Sequence, residues 1–282
     1  MSGANMQMPS YHCPDCRVPL QRFYCTRCRF EFPSVDGVPS LLSRNPRFGR
    51  TGVIAADYDS IYTARSRVWE NQGRTPEFIR YFSSLLDRYP GGRSLEIGCG
   101  EGYLLAARSQ GEKFAVDLSI EAIRRARTRA RADFSLALAE RLPFPAEHFD
   151  LVTSVGVMEH FLDTGEALRE IRRVLKPGGH YVNLVHVELT FGERLGWIVS
   201  RFLFPRPRPV QFCRWASRQL VSRMLPDRQE FPAQPIQNRF TTLGGKAWLA
   251  RSGFNVLEIV HRRRYPDLPL IGPSVVIYVA QK

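Results

Sequence analysis

The chain has 282 residues, room for one large domain and a small appendage, and its hydrophobic content of 44% permits a sizeable core. No apolar run approaches the length of about 18 residues that a membrane span needs, which excludes an integral membrane protein of the helical kind. Net charge is +13 but unevenly placed: residues 1–50 carry 7 basic and 3 acidic side chains, 51–190 carry 18 and 19, and 191–282 carry 15 and 5. A neutral middle between basic flanks favours nucleic acid or an anionic membrane as a partner without choosing between them.

The N-terminus lacks an apolar signal-peptide core, so the chain is read as cytoplasmic, with membrane association through its basic flank as an open alternative. Six cysteines in that setting serve more readily as ligands or buried thiols than as disulfides. Cys13-Pro-Asp-Cys16 and Cys25-Thr-Arg-Cys28 form two C-x-x-C pairs eight residues apart. Four thiolates fill the tetrahedral sphere of zinc and leave no open position, so a metal held here is structural. The segment is too small to build a core of its own, which is where a metal staple matters most. Residues 1–42 are therefore expected to be a zinc ribbon, with Asp36-Gly37 as a turn, 43–54 a linker, and 55–282 the main domain.

Thr75-Pro76-Glu77 opens a helix by its capping chemistry, and Phe78, Ile79, Phe82, Leu85 and Leu86 follow at helical spacing. Leu95 to Ile97 is a buried strand that runs into Gly98-Cys99-Gly100-Glu101-Gly102 and then a helix. Alternate glycines let the chain turn sharply and bring a ligand against bare main chain. Glu96 beside that turn argues against a phosphate cradle and suits a ligand carrying an ammonium or a sulfonium. Phe114 to Asp117 is a strand ending in an acid about twenty residues beyond the turn, as a ribose-binding carboxylate should be. Ser119 caps the next helix, and Asp133 to Leu138 and Phe149 to Ser154 are further strands. Thr164 to Lys176 is an amphipathic helix stopped by Pro177-Gly178-Gly179, and Tyr181 to His186 is a β-branched strand.

Glu96-x-Gly98-x-Gly100-x-Gly102 resembles the first motif of class I S-adenosylmethionine (SAM)-dependent methyltransferases. The run Ala139-Glu140-Arg141-Leu142-Pro143-Phe144 resembles a segment of the large methyltransferase family that includes the ubiquinone-biosynthesis enzymes, and Glu159-His160 matches that family's strand-end Glu-His pair. Phe30 to Leu42 is similar to the tail of zinc-ribbon modules found ahead of some methyltransferases. The resemblance implies an α/β, Rossmann-like, seven-stranded, mostly parallel sheet with helices on both faces, the small N-terminal zinc ribbon, and a helical insertion before the last two strands. It implies SAM as cofactor, with contacts from Glu96, Gly98, Cys99, Gly100 and Tyr103, from Asp117 on the ribose and Leu118 on the adenine, from Ala139 and Glu140, from main chain at Ser154 and Val155, and from Tyr58 on a helix that lids the site. The adenine-contacting Asp of the family is replaced here by Leu138. His160 is the candidate general base for a hydroxyl acceptor; His148 is read as a bystander.

The insertion, 187–237, holds two basic stretches rich in Trp and Phe at 193–204 and 212–225. These fit a lid over an apolar substrate, a peripheral membrane contact, or a protein-packed cap. The expected activity is methyl transfer to a small or lipid-like acceptor. The alternatives are an RNA base methyltransferase that uses the ribbon and basic flanks, and a non-catalytic binding partner of the same fold.

Overall fold

The computed structural model describes residues 11–64, 75–89, 92–108, 110–188, 234–263 and 274–282. The two helices expected over 193–204 and 212–225 lie outside those residues. The N-terminal segment consists of two small hairpins, β1 (Tyr24–Cys25) with β2 (Phe30–Glu31) and β3 (Ser34–Val35) with β4 (Val38–Pro39). Asp36 and Gly37 both have positive φ, 52° and 74°, the left-handed pair that closes a two-residue hairpin.

Next come α1 (Thr51–Ala64) and α2 (Pro76–Leu86). Helix α1 starts within the stretch expected to be linker, after a short 3-10 turn at Pro46–Phe48. As expected, the Thr75 hydroxyl caps α2 by accepting the Phe78 N–H at 3.2 Å. The main domain then alternates strand and helix: β5 (Arg93–Ile97), α3 (Tyr103–Ala107), β6 (Glu112–Asp117), α4 (Ile120–Arg129), β7 (Asp133–Leu136), β8 (Phe149–Val155), α5 (Thr164–Val174) and β9 (Leu175–Val187). It closes with α6 (Thr242–Arg251), β10 (Asn255–Arg263) and β11 (Ser274–Gln281).

The seven main strands form one sheet in the order β10-β11-β9-β8-β5-β6-β7. Strands β5 to β9 are parallel, and β11 lies antiparallel between β9 and β10. Helices cover both faces, as short crossovers between parallel strands require. Ala167, Leu168, Ile171 and Val174 of α5 pack on one face with Leu249 of α6; Phe82, Leu85 and Leu86 of α2 pack on the other. Helix α5 ends two residues early because Leu175 pairs with Phe149, so Lys176–Gly179 belongs to β9 rather than to a turn.

The cysteine-rich segment shares the core of the main domain. Tyr11, Cys13, Cys25, Phe32 and Leu41 are buried in one cluster with Leu142, Phe144 and Phe149. The Leu41 N–H donates to the Leu136 carbonyl at 2.8 Å, so the segment covers the β7 edge of the sheet.

Candidate active site

The parallel strands point their carboxyl ends at one edge of the sheet, and the residues expected to bind cofactor gather there. Beyond β5 the chain folds over β6: the N–H groups of Gly98 and Cys99 both donate to the Val116 carbonyl, at 2.8 and 3.2 Å. Gly98, Gly100 and Gly102 all have positive φ, 64°, 52° and 77°. A side chain at Gly98 would stand 2.5 Å from Val157 Cγ2, and one at Gly100 would stand 3.1 Å from the Tyr62 hydroxyl oxygen. The glycines therefore satisfy both the backbone angles and the space.

Asp117 ends β6 directly beside this loop. Its Oδ2 accepts the Gly100 N–H at 2.8 Å and its Oδ1 accepts the Ser119 N–H at 3.0 Å. Burial pushes its carboxyl above the ordinary value, against the lowering effect of those N–H groups. Cys99 lies near both Asp117 and Glu96: burial first, then those two carboxylates, hold its thiol well above its usual range. A thiol so placed is inert, and its part in the site is shape. Leu118, half-exposed, follows Asp117 in the same loop, while the Tyr103 ring opening α3 lies under Arg129 at 4.6 Å.

Helix α1 is tied over the loop. Asp59 Oδ1 accepts the Ser119 hydroxyl at 2.6 Å and the Glu121 N–H at 3.2 Å. The preceding residue of the helix is Tyr58, whose hydroxyl is buried and, among the described residues, has no hydrogen-bond partner. Burial drives it upward, and the nearby charges of Asp117 and Glu159 add to that. A buried phenol without a partner is costly and is what a polar ligand would satisfy.

The other wall comes from β8 and β9. The Ser154 hydroxyl is consumed internally, at 2.7 Å from the Tyr181 hydroxyl and 2.9 Å from Asn183 Oδ1, so only its main chain is available to a ligand. A 3-10 turn, Met158–His160, follows. His160 Nδ1 donates to the Ile236 carbonyl at 2.6 Å. Glu159 is buried, with Oε1 2.6 Å from His186 Nδ1 and Oε2 without a partner among the described residues. Reading the sequence did not single out His186; the available signal was its place at the carboxyl end of a parallel strand, where sites of this fold gather.

The segment between β7 and β8 supplies Ala139 and Glu140. Leu138 is buried in the core at 2% exposure. The Glu140 carboxylate, also buried, accepts the Asp163 N–H at 3.1 Å and is raised by burial. His148 packs edge-on against Phe149, with centroids 4.8 Å apart, in keeping with the role of bystander.

Away from this cleft, the ligand atoms of Cys13, Cys16, Cys25 and Cys28 all lie within 4.8 Å of one another. Cys13 and Cys28 sulfurs stand 3.8 Å apart and those of Cys16 and Cys25 3.4 Å. Tetrahedral Zn–S bonds of about 2.3 Å require S–S separations of roughly 3.8 Å, so the donor set fits a zinc ribbon. Arg17 and Arg29, each following the second cysteine of a pair, have φ of 67° and 51°, which turns the chain back around the sulfurs.

Residues 95–183 match the family model of the methyltransferase domain. This stretch is similar to that family's methyltransferase domain. The chain is 32% identical over 142 residues to the ubiquinone/menaquinone biosynthesis C-methyltransferase UbiE of Shewanella sp. (strain ANA-3), covering 45% of this chain and 53% of that one. It is 31% identical over 134 residues to the ubiquinone biosynthesis O-methyltransferase of Alkalilimnicola ehrlichii, covering 42% and 54%. The chain thus spans about half the length of the curated relatives it matches. Among solved structures, the 1,6-didemethyltoxoflavin-N1-methyltransferase of Burkholderia thailandensis, with bound 1,6-didemethyltoxoflavin and S-adenosylhomocysteine, aligns with a TM-score of 0.55 at 19% identity, over 84% of this chain and 90% of that one. The methyltransferase domain accordingly has the Rossmann-like methyltransferase fold, and the cysteine-rich segment precedes it. Among the described residues no helix is long and apolar enough to cross a membrane.

Proposed function

We propose that the chain is a SAM-dependent methyltransferase acting on a small or lipid-like acceptor at a hydroxyl. The observation that carries this is the conjunction of the glycine loop, the Asp117 carboxylate at its edge and the unpartnered Tyr58 hydroxyl above it. A ribose diol donating to Asp117, a cofactor lying against the bare glycine main chain, and a polar atom of that cofactor bonded to the Tyr58 hydroxyl would together satisfy all three. SAM, when bound, supplies a methyl group already activated on a sulfonium. The chain's own work is then to position the acceptor, exclude water and take a proton from the acceptor hydroxyl. Two imidazoles stand on the acceptor side: His160, singled out by its sequence context, and His186. Glu96, Cys99, Tyr103, Leu118, Ala139, Glu140, Ser154 and Val155 complete the proposed cofactor contacts. Cys13, Cys16, Cys25 and Cys28 would hold a structural zinc.

RNA is the second reading, favoured by the exposed arginines Arg22, Arg27 and Arg29 on the cysteine-rich segment. Calorimetry with S-adenosylhomocysteine tests the cofactor: wild type should bind, and Asp117→Ala should lose at least about tenfold in affinity with its charge-assisted hydrogen bonds. Absence of binding to wild type would refute the assignment. Tritiated SAM added to a cell lysate then tests the acceptor. Label in solvent-extractable material supports the first reading, and label in RNA replaces it with the second.

A further inference from the structure

The Glu159–His186 pair extends the proposed function by assigning a base to it. Glu159 sits on the 3-10 turn after β8, its side chain only 6% exposed, whereas the His186 side chain is 42% exposed at the end of β9. The carboxylate Oε1 lies 2.6 Å from Nδ1, so the imidazole donates Nδ1–H to Glu159, and in the neutral ring Nε2 is the nitrogen left to accept a proton. The face beside the ring is open for a physical reason. Gly156, φ 67°, follows β8, and a side chain there would begin 3.6 Å from His186 Cε1. The ring is thus partly exposed, with the bare main chain of Gly156 beside its Cε1 edge.

His160 is placed differently. Its Nδ1 partner is the neutral Ile236 carbonyl, and the adjacent Glu159 carbonyl accepts the Asn238 N–H at 2.6 Å. These bonds fasten the turn to the segment before α6, and the Ile236 carbonyl puts no negative charge behind the His160 ring. A buried carboxylate behind an imidazole does two things: it fixes the tautomer and it stabilises the cation formed on proton transfer. Of the two imidazoles, only His186 has that support among the described residues. Among the described residues, the other titratable groups that feel the Glu159 charge are Tyr58 from α1 and Tyr181 from β9. Outside the cleft Glu188 is paired with Arg239 at 3.5 Å.

We propose that His186, oriented by Glu159, is the general base that deprotonates the acceptor hydroxyl. The proton passes from the acceptor oxygen to Nε2 as that oxygen bonds to the methyl carbon. The carbon–sulfur bond breaks with its electron pair left on sulfur, and the imidazolium formed stays paired with Glu159. His160 then holds the turn in place. The assignment rests on the reading of the cleft as a SAM site.

The test compares His186→Asn, Glu159→Gln and His160→Asn. Turnover is read as tritium transferred from labelled SAM into an organic extract of the cells, and binding as calorimetry with S-adenosylhomocysteine. A general base contributes about 10²-fold or more, so His186→Asn should lose that much in kcat with KM and S-adenosylhomocysteine affinity little changed. Glu159→Gln, which can keep the hydrogen bond and lacks the charge, should lose at least tenfold, and added imidazole should partly restore a His186→Gly variant. Independently of turnover, diethyl pyrocarbonate followed by peptide mass spectrometry should modify His186 several-fold faster than the packed His148. Turnover in His186→Asn within threefold of wild type, a larger loss in His160→Asn, or an unreactive His186 would each overturn the proposal. Failure of the underlying SAM reading shows separately, as wild-type protein that binds no S-adenosylhomocysteine, and it overturns the base as well.

Discussion

Arg17 of the cysteine-rich segment meets Glu170 of α5 at 2.8 Å, and Glu170 also holds the Leu142 N–H at 3.2 Å. Arg17 in turn donates to the Leu142 carbonyl at 3.2 Å, closing a triangle between the segment, α5 and the loop after β7. The Glu170 side chain is 8% exposed, so its charge depends on such partners. Arg17→Met should therefore cost about 1–2 kcal/mol, since Arg173 remains on the carboxylate. Glu170→Ala strands both arginines and should cost about 3 kcal/mol. Urea unfolding of the two variants, with the ranking reversed, would show that the triangle is not what joins the segment to the domain.

The same loop couples the cysteine cluster to the cofactor side. The His12 N–H donates to the Pro143 carbonyl at 2.9 Å, and the Tyr11 and Phe144 rings lie 5.6 Å apart. With the Leu41–Leu136 bond, these contacts brace both ends of the stretch that carries Ala139 and Glu140. One equivalent of zinc is expected in purified protein by metal analysis. Its removal by a chelator, or Cys25→Ser, should lower the melting temperature and weaken S-adenosylhomocysteine binding together, because loss of metal loosens the brace. Unchanged affinity in folded, zinc-free protein would separate the two sites.

His148 gives a pH dependence with a definite sign. Burial, and then Arg93, push its imidazole from 6.5 down to about 4. Between those values the unfolded chain is protonated there and the folded chain is not, so stability rises with pH across the window and falls on acidification. Asp117, Asp133 and Glu140, raised chiefly by burial, act in the opposite direction above the ordinary carboxylate range. The wild-type slope is their sum, and His148→Phe isolates the histidine. The Phe114, Phe144 and Phe149 rings already surround the position. The variant should gain stability relative to wild type at pH 5 by more than it does at pH 7.5, measured by urea unfolding at both. An equal difference at the two pH values would contradict the buried neutral state.

What the sequence disclosed was local chemistry with a fixed spacing. Thr75 and Ser119 read as caps because a hydroxyl three residues before an N–H needs nothing else, and both hydroxyls accept at that spacing. The glycines of 98–102 and the paired cysteines were legible for the same reason. The partnership of Glu159 with His186 was not, because it joins residues 27 apart through sheet register alone. Nor was the turning of Glu140 toward Asp163, which depends on how α5 docks. The end of α5 was misplaced because Leu175 suits a helix by propensity and is claimed by Phe149 across the sheet.

Gly98 allows a double-mutant test of the loop. A Cβ there would lie 2.5 and 2.8 Å from the two γ-methyls of Val157, and 3.2 Å from its Cβ. Gly98→Ala therefore carries two costs: the clash, and a φ of 64° that an L side chain tolerates at about 1–2 kcal/mol. Val157→Ala removes both γ-methyls and relieves the first cost only. The single variant Gly98→Ala should be destabilised by about 3 kcal/mol or more, by the overpacking and backbone terms together. The double variant should recover most of the clash, so that the two changes are non-additive by at least about 1 kcal/mol. S-adenosylhomocysteine binding should remain weak in both, because the backbone strain at residue 98 remains in the loop proposed to lie against the cofactor. Strict additivity in thermal unfolding would mean that Val157 does not define the floor of this turn.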